Sequence, residues 1–368
     1  MENNHLTYFK VENFKKFESL EVSDIGQFNL IVGDNNIGKT CLLEALLFDE
    51  EPSQLVCNFH LALQKRGFIY ERKKITTEVN EKSITETIAP KENYYIGNII
   101  RDYEVNISTI FSYKKSDGVT SVIPVSLIKI DNVSNGIKND LNEVNDYTIF
   151  KTKFSNEYIT SLRIKTLHTI SIYYYFDDIL KFPMVSFNDN ALTNETTKIY
   201  ENLKTKRDKQ ILIKTLKIVN PNIIDIELRE NFDDMRAVFL ISFEDKNEFV
   251  PLNFLGDGFK RIFYIILKTI SLKGKRIMVD EIEIGVHHSK LKDFWINIFK
   301  VCKELDVQLF ATTHSKECIE AYVEAAKEVS EENIKLIRLQ ENKDKSIKAI
   351  CYKEEYIEYM VESNTEER

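Results

Sequence analysis

No two of the five cysteines, Cys41, Cys57, Cys302, Cys318 and Cys351, are spaced as CxxC. The missing spacing argues against a structural zinc site. The odd count argues against a disulfide framework, so reduced thiols and a cytoplasmic protein are expected. No apolar run approaches the ~20 residues that cross a bilayer, and IFYIIL is far shorter. The opening residues, MENNHLTYFKVENFKKF, have no apolar stretch behind a basic start, so neither a signal peptide nor a membrane partner is expected. An excess of positive charge is also missing: 50 Lys and Arg face 58 Asp and Glu, a net charge of −8. That balance disfavours nucleic-acid binding by the whole surface and leaves room for a local basic patch. There is no internal repeat and no sustained heptad run, which excludes a solenoid and a long coiled-coil arm. What is present is a chain of 368 residues, 43% hydrophobic, enough for a sizeable core. The length suits about two domains, or one domain with a large insertion.

Both ends of the chain read as helices alternating with short strands. LTYFKVENF alternates, LEVSDI follows, and FNLIV is an apolar run that ends at Gly33; KTCLLEALLF then has leucines at helical spacing. Near the other end, GFKRIFYIILKTISL, HHSKLKDFWINIFKVCKEL and KECIEAYVEAAKEV read as helices separated by the strands RIMV and VQLFAT. This alternation predicts a largely parallel sheet covered on both faces. From about Tyr70 to Phe187, β-branched and aromatic residues alternate with polar ones, which predicts antiparallel strands. TTKIYENLKTKRDKQILIKTLKIVNP predicts a helix ending at Pro221, and RAVFLISFE a strand. The expected division is 1–68 and 236–368 as two parts of one α/β head with a mixed sheet, split by a β-rich then helical insertion over 69–235.

The stretch Gly33-Asp34-Asn35-Asn36-Ile37-Gly38-Lys39-Thr40 fits GxxxxGK[ST]. In such a loop, backbone N–H groups and the following helix N-terminus converge on one anion site. Lys39 places its charge on the β- and γ-phosphates of ATP, and the Thr40 hydroxyl ligates Mg²⁺. Cys41, the next residue, completes the loop as a small packing residue. A chance match in a turn is the alternative, and the flanking strand and helix argue against it.

RIMVDE supplies the partner motif, an apolar strand ending in acids: Asp280 for the metal and Glu281 as general base for the attacking water. Taken alone, the acid pair also suits a helix cap. LGDGFKR precedes a helix just upstream, so Gly256, Asp257 and Gly258 can offer helix N-terminal N–H groups to a γ-phosphate on a second subunit; an ordinary Asp N-cap turn is the plainer explanation. In FATTHS, His314 follows the next strand, within reach of the γ-phosphate.

This set resembles the ABC-type ATPases of the OLD family and their relatives among SMC- and RecF-like heads. The likeness rests on FKVENFKKFESLEV…FNLIVGDNNIGKTCLLEAL, LGDGFKR, MVDEIEIGVHHSKLKDFW and QLFATTHSKECIEA, roughly the first 50 residues and 250–325. It implies nucleotide binding by Gly33, Asn36, Gly38, Lys39 and Thr40, catalysis by Lys39, Glu281 and His314, and a metal on Thr40 and Asp280. It also implies a signature loop at Gly256–Gly258 acting in trans, hence a homo-oligomer of paired heads, a dimer or higher even number. Related signatures often carry serine where this chain has Gly256. OLD proteins continue into a Toprim nuclease, and too few residues follow His314 for one. The resemblance therefore implies an ATPase acting in anti-phage defence with a separate effector, which can itself be a Toprim nuclease.

Two other functions stay open. The basic stretch with Lys204, Lys206, Arg207, Lys209, Lys214 and Lys217 suits either direct action on DNA, as in RecF- or SMC-like repair, or a solvated helix face. A nucleotide-gated scaffold with little turnover is the third possibility. His287-His288 lacks a third ligand and reads as a helix start, and Tyr173–Tyr175 as strand packing.

Overall fold

The computed structural model describes residues 4–50, 52–65, 73–79, 82–88, 108–130, 147–154, 157–163, 181–186, 189, 194–232 and 235–362. In chain order the first elements are β1 (Leu6–Phe14), β2 (Phe17–Val22), β3 (Phe28–Val32), α1 (Lys39–Ala45) and α2 (Pro52–Lys65). Then come the strands β4 (Lys73–Val79), β5 (Lys82–Ile88), β6 (Ser108–Lys115), β7 (Thr120–Ile130), β8 (Tyr147–Phe154), β9 (Glu157–Arg163) and β10 (Met184–Val185). Next are α3 (Asn194–Glu201), α4 (Lys206–Leu216), β11 (Ile223–Phe232), β12 (Met235–Phe243) and β13 (Val250–Pro251). The last third holds α5 (Asp257–Ser271), β14 (Arg276–Val279), α6 (Leu291–Leu305), β15 (Gln308–Thr312), α7 (Lys316–Val329), β16 (Ile334–Glu341), β17 (Ile347–Lys353) and α8 (Glu354–Glu362).

The central sheet runs β10-β14-β15-β3-β16-β17. All pairs are parallel except β16 with β17. FNLIV explains why β3 sits in its middle. Every residue is buried, and successive side chains go to opposite faces. Phe28, Leu30 and Val32 enter the core shared with α5, α6 and α7. Ile31 enters the second core, with β1, β2, α1 and α2. The buried Asn29 is tolerated because its amide donates to Gly26 O and Leu309 O and accepts from Gly26 N.

The other six-stranded sheet, β2-β1-β6-β7-β8-β9, is antiparallel throughout. Thus β6 and β7, which fall within 69–235, extend the sheet of β1 and β2, and β10 from the same stretch edges the central sheet. Strands do fill much of the described part of that region, whereas Tyr173–Tyr175 lie outside the described residues. The single helix expected before Pro221 is two, α3 and α4. A capping box divides them: Asp208 N donates to Thr205 Oγ1 and Thr205 N donates to Asp208 Oδ2, both at 3.1 Å. The β16–β17 hairpin was not foreseen. Among the described residues, no helix is long and apolar enough to cross a membrane.

Candidate functional site

In a parallel sheet the carboxyl ends of the strands share one edge, and ligand sites collect there. Here β3 runs out into Gly33, β14 into Asp280 and β15, lying between them, into Thr313 and His314. Residues far apart in sequence therefore meet. Gly33, Asp34, Asn35, Glu281, Glu283 and His314 line one cleft of about 540 Å³.

The loop is shaped by its own backbone. Gly33 has φ 141°, and a Cβ there would stand 2.6 Å from Leu339 O, so no larger residue fits. Asn36 is also left-handed, at φ 62°. Ile37 N donates to Asp34 O at 3.3 Å, and Gly38 is the N-cap of α1. Lys39 Nζ donates to the carbonyls of Gly33 (2.7 Å) and Asp34 (2.9 Å). Burial pushes the Lys39 ammonium below the ordinary lysine value, and the carboxylates of Asp280, Asp34, Glu281 and Glu283 oppose that shift. Cys41 packs against the second core.

The hydroxyl of Thr40 lies 3.3 and 3.2 Å from the two carboxylate oxygens of Asp280. Neighbouring oxygens of a magnesium octahedron stand about 3 Å apart, and hard oxygen donors suit that ion, so the pair fits Mg²⁺. Among the described residues no group of three or more His, Cys, Asp or Glu gathers to hold a metal. A cation here therefore needs further oxygens from a nucleotide, as is usual for magnesium.

Three residues not given a role in the sequence brace the site, two of them on the acids and Glu283 on His314. Thr312 Oγ1 donates to Asp280 Oδ1 (2.6 Å) and accepts from Glu281 N (2.8 Å). Glu283 accepts from His314 N at 3.1 Å. Arg261 donates to the Asp280 and Glu281 carbonyls. Glu281 itself is left-handed, at φ 49°. A non-glycine residue held there costs about 1–3 kcal/mol and persists only where its surroundings fix it. His314 Nε2 stands 4.0 Å from Glu281 Oε1. Lys16, at the β1–β2 turn, donates to Asn36 Oδ1 at 2.9 Å. The repeated threonines of ATTH were the visible signal for Thr312; Arg261 stood inside LGDGFKR without a role.

Gly256, Asp257 and Gly258 are not among the described residues lining the cleft. Gly256 is the N-cap of α5 and no side chain caps it, which corrects the plainer expectation of an Asp cap: Asp257 is already the first helical residue. Nothing lies within 4 Å of a Cβ built on Gly256, whereas one on Gly258 would meet Gly285 O at 1.9 Å. Gly258 therefore packs directly on the turn that follows the acids. His287 accepts from Ser289 N at the start of a short helical turn before α6, as expected of a helix start.

Known proteins are similar to this chain in sequence and in fold. An ATP/GTP phosphatase of Helicobacter pylori is 24% identical over 334 residues, 84% of this chain and 85% of that protein. An uncharacterized protein of Methanocaldococcus jannaschii is 38% identical over 72 residues, 20% of this chain and 63% of that protein. The crystal structure of the Smc head domain with an extended coiled coil, bound to the C-terminal domain of ScpA, from Pyrococcus furiosus, superposes with a TM-score of 0.50. The alignment covers 98% of this chain and 100% of that one at 12% identity, which shows a shared ABC-type P-loop head fold. The family described as "AAA domain, putative AbiEii toxin, Type IV TA system" matches residues 128–320, more than half of the 368. The chain belongs to that family, and it is an ATPase.

Proposed function

We propose that the chain is the Mg-ATP-hydrolysing, regulatory subunit of an anti-phage defence system, working as paired heads with a separate effector protein. The observation that carries the hydrolytic part is the contact of Thr40 with Asp280 at 3.2 Å, at the rim of a cleft that also holds Glu281 and His314. In this reading the amides of residues 34–40 and the Lys39 ammonium bind the β- and γ-phosphates, with Lys39 exchanging two carbonyls of its own loop for phosphate oxygens. Thr40 and Asp280 hold the magnesium, which when bound neutralises charge on the phosphates. Glu281 accepts the proton of the water that attacks the γ-phosphorus as its bond to the bridging oxygen breaks and ADP leaves with that oxygen, and His314 contacts the γ-phosphate. The N–H groups of Asp257 and Gly258 close the site of the partner head.

The family's description as a putative toxin of a Type IV TA system supports the defence setting. So does the OLD-like motif set, and an effector of Toprim nuclease type belongs to the same proposal. Direct action on DNA is less well supported. Of the six basic residues offered for it, Arg207 is paired with Glu304 at 2.6 Å and Lys209 with Asp225 at 2.9 Å.

The test joins turnover to protection. Glu281→Gln lowers kcat about 100- to 10,000-fold while still binding ATP, and it abolishes protection of cells from phage. Co-purification with the product of a neighbouring gene identifies the effector. Protection that survives loss of both Lys39 and Glu281 overturns the proposal.

A further inference from the structure

Arg261 is absent from the cleft yet holds its floor. It lies in the first turns of α5, and 7% of it is exposed. Nη2 donates to the carbonyl oxygens of Asp280 (2.6 Å) and Glu281 (3.1 Å), and Nη1 donates to Ser186 O (3.0 Å). Three backbone carbonyls from two segments thus converge on one planar fork. An ammonium, a point charge on a flexible stem, does not reproduce that grip. Burial works against the charged guanidinium, while Asp189, Asp280, Glu281 and Glu283 favour it, and it stays protonated.

Two features give the grip a consequence. Glu281 is in a left-handed conformation, with its N–H held by Thr312 and its carbonyl held by Arg261. Its side-chain direction therefore depends on both anchors. Arg261 also rides on the helix that begins at the signature loop, and the close approach of Gly258 to Gly285 joins that helix to the same turn at a second point. The grip extends further: Ser186 N donates to Asp189 Oδ2 at 2.8 Å, and Lys65 at the end of α2 donates to Asp189 Oδ1 at 2.6 Å.

We propose that Arg261 is a positioning residue for hydrolysis. By holding the Asp280 and Glu281 carbonyls from the signature helix, it sets the Glu281 carboxylate for the attacking water and makes that setting follow the position of α5. Docking of a partner head on Gly256–Gly258 is thereby relayed to the catalytic turn of the same chain. The inference rests on the hydrolytic reading above, and its test separates the two.

Steady-state hydrolysis, ATP affinity and thermal melting are measured for the full chain, for Arg261→Lys and for Glu281→Gln. For Arg261→Lys the expected result is a kcat lowered about 10- to 100-fold, with KM and the ATP dissociation constant within about threefold of the parent. The melting midpoint stays within about 2 °C. A kcat within about threefold of the parent overturns the inference, as does a loss confined to KM or matched by a fall in melting temperature. If Arg261→Lys does not fold, Arg261→Gln, which keeps one donor arm, is read in the same assays; failure of both to fold makes the residue structural and overturns the inference. If the parent does not hydrolyse ATP, or Glu281→Gln matches it, the hydrolytic reading fails and takes the inference with it. A parent that turns over, a dead Glu281→Gln and an unaffected Arg261→Lys overturn the inference alone.

Discussion

Asp280 is 5% exposed and holds the hydroxyls of Thr40 and Thr312. The side chain of Asp257, at the head of α5, is 98% exposed and pairs with Lys260 one turn along. Phe254, three residues before it, is 81% exposed. One half of the site is built and braced inside a single chain; the other lies open, its helix N-terminus offering amides to whatever docks there. The difference separates two costs. Ordering the groups of the cleft is met by folding; in the proposed pairing of heads, excluding water falls to assembly, where it would strengthen every charge interaction in the cleft.

The comparison is broken most sharply from the built side. Lys39→Ala removes a charge-assisted contact and weakens ATP binding about 10- to 150-fold, measured by titration with a fluorescent nucleotide. A loss smaller than threefold places the phosphates elsewhere. The buttress beneath the built half is next. Lys268, fully buried, donates to Glu195 at 2.6 Å, and Lys65 stands 3.7 Å from the same carboxylate. Burial raises the Glu195 pKa, but Lys268 and Lys65 more than offset it and hold the carboxyl below its ordinary value. A carboxyl so depressed adds stability above its unfolded pKa, and that stability is lost as pH falls through the folded value. Glu195→Gln removes the carboxylate that faces the buried Lys268 ammonium and costs about 3–5 kcal/mol at neutral pH. The gap from the parent narrows as pH drops below the ordinary carboxylate value of 4.5, a trend read from denaturant melts across pH.

Between the halves, Gly258→Ala forces a Cβ onto Gly285 O and costs about 1–3 kcal/mol by overpacking. Gly256→Ala, two residues earlier and facing open space, leaves the melting temperature unchanged. Equal melting of the two variants removes the distinction drawn here. On the open side, Phe254→Ser leaves the fold intact and weakens ATP-dependent pairing about 10-fold, measured by light scattering in the Glu281→Gln background. Unchanged pairing places the head–head contact away from Phe254.

Legibility in the sequence follows locality. The meeting of Gly33–Thr40 with Asp280-Glu281 was readable because each motif is written in adjacent residues at a strand end. His314 was readable from its order after the strand QLFAT. Arg261 was not, because its role is a set of hydrogen bonds to a turn at least 19 positions away in sequence, which no local pattern encodes, and for Thr312 the threonines of ATTH signalled a polar strand end without naming its partners. The pairing of β1 with β6 was hidden for the same reason: both strands alternate, and alternation fixes which face is buried without naming the neighbour. The break between α3 and α4 was different. Thr205 and Asp208 carried its signal, and the surrounding basic helical pattern masked it.

The place of β3 has a bearing on how the protein comes into being. This early strand is flanked by β15 and β16, both made from the last fifth of the chain. At about 5–20 residues per second, a ribosome takes roughly 15–60 s to travel from the P-loop to the strands that flank it. Through that interval a largely apolar strand, with Asn29 its one polar residue, awaits its neighbours, so the nascent chain carries a segment prone to stick. The central sheet can be completed only late, when β15 and β16 are available to close around β3.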